Sequence, residues 1–201
     1  MWLAVFFGAS VLVALTPGAN NLLGMHHAVH HGPLKAATAL LGRLAAFAIM
    51  VVAVVAGLGP VLAASHLALT IIKWAGVAYL AYLALRVLTA RTTEATTKTP
   101  AHSANPRRKE FLVAISNPKA ILIFTAFVPQ FVDPARAPVP LQLAVLGAVY
   151  LAAELLAGTA YVAVGAGIRK AGLTRRARAR LDKATGAVLL GMAGALAVSK
   201  P

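Results

Sequence analysis

Glu154 is the one acid inside a long apolar run, about midway along residues 141–165. A carboxyl group kept from water either pairs with a cation or takes up a proton. Glu154 is therefore a candidate proton carrier, with a structural ion pair to Arg43 or Lys119 as the alternative. Arg43 and Lys119 are cations within apolar runs of their own, roughly 11 and 12 Å of helix from the nearer ends. Burying such a charge costs about 2.5–3.5 kcal/mol on insertion scales, so each needs a partner or a task, unless Lys119 snorkels to the surface.

Two segments beside these charges break the helix pattern. Leu15-Thr16-Pro17-Gly18-Ala19-Asn20-Asn21 interrupts one apolar run and Ser116-Asn117-Pro118-Lys119 another. Proline removes a backbone donor and clashes with the preceding turn, and glycine permits unusual dihedrals. Lipid cannot satisfy the freed amides and carbonyls, so such a break must face protein or a wet cavity. A half-helix N-terminus favours an anion such as a carboxylate, and the carbonyl end favours an ammonium. The alternative is a packed kink in which Asn20 and Asn21 bond between helices. The depths predict that Pro17, Arg43 and Asn117–Lys119 meet in one cavity.

His26-His27-Ala28-Val29-His30-His31 contains an HxxHH spacing like one histidine box of a membrane diiron oxygenase. The remaining histidines, His66 and His102, form no second cluster, so an interfacial loop or an adventitious metal site is expected rather than an enzyme's metal centre. No metal site and no cofactor is assigned. Cysteine is absent, which excludes disulfides and thiolate chemistry.

Positioning these groups falls to membrane helices. Of 201 residues, 60% are hydrophobic and 12% charged, with a mean hydropathy of +0.79, well away from the balance of soluble domains. Six runs approach the length needed to cross a bilayer: Trp2–Met25, Ala36–Leu58, His66–Leu88, Phe111–Val132, Leu141–Gly165 and Ala184–Ser199. The first lacks the basic start of a cleaved signal peptide and reads as a retained span. The expected fold is all-α and polytopic, one transmembrane domain with a three-helix half over 1–88, a loop over 89–110 and a second half over 111–201. An odd number of spans per half inverts the second half, and each half opens with a broken helix, which is a transporter pattern.

The net charge of +14 could suggest nucleic acid, but its placement suits lipid heads and no nucleic-acid partner is expected. Six spans put 14 Lys and Arg on one side (Lys35, Arg86, Arg91, Lys98, Arg107–Lys109, Arg169–Lys170, Arg175, Arg176, Arg178, Arg180, Lys183) and only Arg136 and Lys200 on the other. The first side is then cytoplasmic and both termini lie outside.

The stretches LTPGANNLL at 15–23, KWAGVAYLAYLALRVL at 73–88, NPKAILIFTAFVPQFV at 117–132 and ATGAVLLGMAGALA at 184–197 resemble the lysine exporter/homoserine-threonine exporter (LysE/RhtB) family of bacterial amino-acid efflux proteins. The resemblance covers essentially the whole chain. It implies export of amino acids or close derivatives across the bacterial cytoplasmic (inner) membrane, driven by protons, with substrate-binding positions at Thr16, Pro17, Gly18, Asn20, Asn117, Pro118 and Lys119. Ala19 departs from the family, which has a second proline there; Pro17 and Gly18 suffice to interrupt the helix. Asn21 and Arg43 join the expected site from their own positions. Partners are then a small amino-acid substrate, protons and lipids, with homo-oligomerisation left open. Two other readings stand beside this one: a metal-cation exporter using His26–His31, and a membrane sensor or scaffold docking through Arg169–Lys183.

Overall fold

Pro17 and Gly18 interrupt the first apolar run as expected. Helix α1 (Trp2–Leu15) ends before them and α2 (Ala19–His31) starts after them, bent by 64°. At 1.5 Å per residue each half is only about 20 Å long, too short to cross ~30 Å of hydrocarbon alone and long enough as a pair. The computed structural model describes residues 2–57, positions 70, 71, 74, 77, 78, 80–82, 84, 85 and 88, then 105–172 and 174–198. The expected third span, 66–88, falls mostly outside the described residues, as does 89–104 of the expected central loop; the described positions between 70 and 88 are helical.

Gly32, at φ +91, turns the chain into α3 (Pro33–Val55), where Pro33 supplies a first residue whose missing amide costs nothing. Asn105 caps α4 (Pro106–Ile115) by accepting from the Arg107 amide. The second break follows at Ser116-Asn117. Asn117 caps α5 (Pro118–Leu122), which continues as a π turn over Ile123–Phe127 and a 3₁₀ turn over Val128–Phe131, at 55° to α4. Gln142 ties down the proline-rich turn that follows. It accepts from the Asp133 amide and donates to the Asp133 and Ala137 carbonyls at 2.7 and 2.6 Å. Helix α6 (Val139–Lys170) and α7 (Arg175–Val198) complete the order.

Three expectations need correction. The histidine stretch is not a loop but the last turns of α2, with His27 buried. Residues 106–110 belong to α4, and Glu110, expected in a mobile loop, is 0% exposed. The Asn105-Pro106 pair is a helix-start signal that outweighed the basic character of Arg107–Lys109. Both later helices also outrun their expected spans: α6 reaches Lys170, and α7 starts at Arg175 rather than Ala184.

Apolar side chains cover the outside, among them Leu12, Val52 and Val164, while Asn20, Asn21, Arg43, Glu110, Asn117 and Glu154 are buried. That arrangement suits hydrocarbon as the surrounding solvent. Among the described residues, α3 and α6 are each long and apolar enough to span; counting each bent pair as one span raises the total from two to four. Close approach of these helices depends on glycine. A Cβ at Gly42 would stand 2.0 Å from the Arg107 carbonyl oxygen, and one at Gly165 would stand 2.6 Å from that of Met25.

Candidate functional site

Ending α1 in mid-run leaves its last carbonyls without partners in the helix. Side chains from three other places supply them. Lys119 Nζ donates to Val13 and Thr16 at 2.7 and 3.0 Å, Asn21 Nδ2 to Ala14 and Thr16 at 2.8 and 3.2 Å, and Tyr161 Oη to Leu15 at 2.9 Å. Lys119 therefore neither snorkels nor pairs with a carboxylate among the described residues; its ammonium sits on the negative end of a half-helix. The two breaks are joined directly, since Asn117 Nδ2 donates to Asn20 Oδ1 at 2.7 Å and Asn20 Nδ2 reaches the Glu110 carbonyl at 3.5 Å.

Arg43, 1% exposed, is the centre of the site. Its fork makes five N···O contacts, matching its five N–H groups. Nε and Nη2 lie 2.9 Å from Glu110 Oε2, Nη1 donates to Asn21 Oδ1 at 3.0 Å and Glu154 Oε1 at 3.1 Å, and Nη2 also donates to the Asn20 carbonyl. Tyr150 Oη donates to the other Glu154 oxygen at 3.2 Å. The geometry places Glu154 in an ion pair with Arg43, so its expected role as a proton carrier now has to act through that pair.

The breaks and Glu154 border a cavity of about 20 Å³ lined by Gly18, Asn20, Asn21, Asn117, Lys119 and Glu154, with Phe47 and Tyr150 across it. That is room for a water and little more. The N-terminus of α2 opens on it without any side-chain cap. Towards the Trp2 end the cavity is closed by Phe47, Phe124 and Tyr150, whose rings meet edge-on at 5.3–5.7 Å or tilted at 6.2 Å, and beyond them by Phe6, Phe127 and Phe131.

The expected site residues thus come together around one point, with differences of kind. Asn20, Asn21, Asn117, Lys119 and Arg43 contribute side chains, whereas the Thr16 and Pro17 side chains are exposed and Thr16 serves through its carbonyl. Pro118 contributes the first turn of α5. Sequence reasoning missed Glu110 and His27. Glu110 was signalled by the Asn105-Pro106 cap, and His27 by its place one turn after Leu23 and two after Asn20 on the buried face of α2.

A helical membrane protein whose two broken helices meet at a charged, water-sized cavity has the build of a solute translocator. Residues 11–200 match the family model for the LysE type translocator, and the chain belongs to that family. It is 31% identical to an uncharacterized membrane protein of Vibrio cholerae serotype O1, over 100% of this chain and 98% of the relative. It is 29% identical to the homoserine/homoserine lactone efflux protein of Salmonella typhi, over 98% and 96%. The leucine efflux protein of Salmonella choleraesuis is 28% identical over 62% of this chain and 60% of its own. No solved structure matches.

Proposed function

We propose that this chain exports amino acids or close derivatives across the bacterial cytoplasmic membrane in exchange for protons, through six spans arranged as two inverted three-helix halves with both termini outside. The observation that carries this reading is the pairing of opposite charges across one cavity. Lys119 and the uncapped start of α2 suit a carboxylate, Glu154 suits an ammonium, and Asn20 and Asn117 hold polar groups between them. A zwitterion meets one complementary charge at each end. At about 20 Å³ the cavity is too small for an amino acid, and the rings of Phe47, Phe124 and Tyr150 crowd its Trp2 side, so passage requires the halves to move apart there. The relatives' names support the solute class, since homoserine and leucine share the amino-acid head group. The metal-exporter reading gains no support from the histidines: among the described residues no three of His, Asp and Glu are placed to share an ion.

Homoserine and its lactone separate the two ends of the site, because closing the lactone removes the free carboxylate and keeps the amine. Efflux of each, and of leucine, from loaded liposomes under a proton gradient is expected to fall about tenfold or more in Glu154→Gln. In Lys119→Met, homoserine and leucine efflux should fall further than lactone efflux. Unchanged efflux in both variants would remove the assigned roles, and no efflux by the unaltered protein would overturn the proposal.

A further inference from the structure

Glu110 and Glu154 share a single guanidinium, so the hydrogen-bonded cluster around Arg43 carries one excess negative charge in a place where an unbalanced charge is costly. Lys119 does not balance it directly, being bound to backbone carbonyls. One titratable group touches the cluster from the other side. His27, 1% exposed, holds Nδ1 3.6 Å from Glu110 Oε1, and neither of those two buried atoms has a hydrogen-bond partner. Two unsatisfied polar atoms facing each other beside a charge deficit define a place for a proton: on Nδ1 it turns a lone-pair clash into a donor, and a second proton on the ring supplies the missing positive charge.

We propose that His27 is the coupling site, and that its proton and the substrate's ammonium compete to neutralise the same Arg43-centred cluster. This rests on the export reading above. With His27 charged, Glu110 is drawn to the imidazolium and Arg43 is left to Glu154, which is then neutralised and holds an ammonium weakly. When His27 gives up its proton, Glu110 takes a larger share of Arg43, and Glu154 is free to bind the ammonium. The one bond broken is the imidazolium N–H, whose proton passes to water as a cation enters the cavity, which is the exchange an antiporter requires. Solvent comes within one helical turn of His27, since His31, at 5.8 Å between ring centres, is exposed and lines a second cavity of about 360 Å³ with Lys35, Arg107 and Lys109. Glu110 of α4 faces His27, with Arg43 of α3 on the far side of that carboxylate, and His26 and His31 flank it from α2. Lys109 adds positive charge near His31, and Arg169 of α6 lies on the Val29 and His30 carbonyls.

The test is proton release on substrate binding to the purified full chain in detergent. A pH-indicator dye and calorimetry are read between about pH 5 and pH 8, where histidine changes charge, with leucine, homoserine and homoserine lactone as probes. The unaltered protein is expected to release about one proton per substrate bound somewhere in that window. His27→Gln should bind with no release and lose the pH dependence of its affinity, and Glu110→Gln, which leaves Arg43 wholly to Glu154, should hold the three probes weakly at every pH and release no proton, a second readout if His27→Gln fails to fold. Equal release by the unaltered protein and a folded variant, or binding by the unaltered protein with no release at any pH, would overturn the assignment while leaving export intact. Failure of the unaltered protein to bind any of the three probes would overturn the substrate reading and His27's role with it.

Discussion

Arg43 holds the site together because a guanidinium is the only side chain that can present five donors in a plane. It links α2, α4 and α6 to α3 through Asn20, Asn21, Glu110 and Glu154. Removing it strands two buried carboxylates, and breaking a buried pair in this way typically costs about 3–5 kcal/mol. Arg43→Met is therefore expected to lower the thermal unfolding midpoint in detergent sharply. Arg43→Lys should recover little, since three donors on one nitrogen cannot reach partners on three helices. The double variant Arg43→Met/Glu110→Gln should be more stable than Arg43→Met alone, because it removes one of the charges left unpaired; equal midpoints would mean that Glu110 is not paired as described.

At the scale of the helix, breaks are tolerated because every carbonyl from Val13 to Thr16 finds a side-chain donor, so the cost of ending α1 inside an apolar environment is met locally. Contacts between helices are set by small residues. Gly165 brings α6 against α2, where a Cβ would meet the Met25 carbonyl at 2.6 Å and Ala28 Cβ at 2.7 Å, while Gly167, two residues on, has nothing within 4 Å. The two glycines should respond oppositely to one methyl group. Gly165→Ala is expected to destabilise by about 1–3 kcal/mol through overpacking against backbone. Gly167→Ala should be neutral or stabilise by up to about 1 kcal/mol through helix propensity. Unfolding in detergent, read for both variants side by side, checks the sign as well as the size.

Among the described residues the middle of the bundle is inverted relative to a soluble protein, with Arg43, Glu110 and Glu154 inside and bare leucine and valine outside, while other charges such as Lys35, Arg136 and Arg169 lie exposed. Orientation follows from where the remaining charge sits. Arg136 lies 4.9 Å over the Trp2 ring and 3.8 Å from Asp133, which puts the start of α1 and the turn before α6 at one end, whereas Arg169 and Lys170 close α6 at the other. The absence of native cysteine makes this end-to-end arrangement directly testable. Ala135→Cys is expected to react with a membrane-impermeant maleimide added to intact cells, and Ala171→Cys only in inverted vesicles or after permeabilisation. Labelling of both from the same side would mean that α6 does not cross, and the reverse pattern would invert the proposed topology.

Several properties were legible in the residues themselves because they depend on neighbours a few positions away. Proline and glycine break a helix wherever they fall, so the interruptions at Pro17-Gly18 and Asn117-Pro118 needed no tertiary information. Depth along a helix follows from counting residues, which is why Arg43, Lys119 and the breaks could be placed at one level before any packing was known. Rotation and partner choice lie beyond such counting. Glu110 follows three basic residues and fell at the end of the expected loop, yet the face it presents, and the Gly42 contact that lets α4 lie against α3, bury it beside Arg43. Four histidines in six residues looked like one cluster. The helix sorts them into two one-turn pairs, His26 with His30 and His27 with His31, and packing then buries His27 against Glu110 while His31, one turn nearer the end of α2, stays exposed.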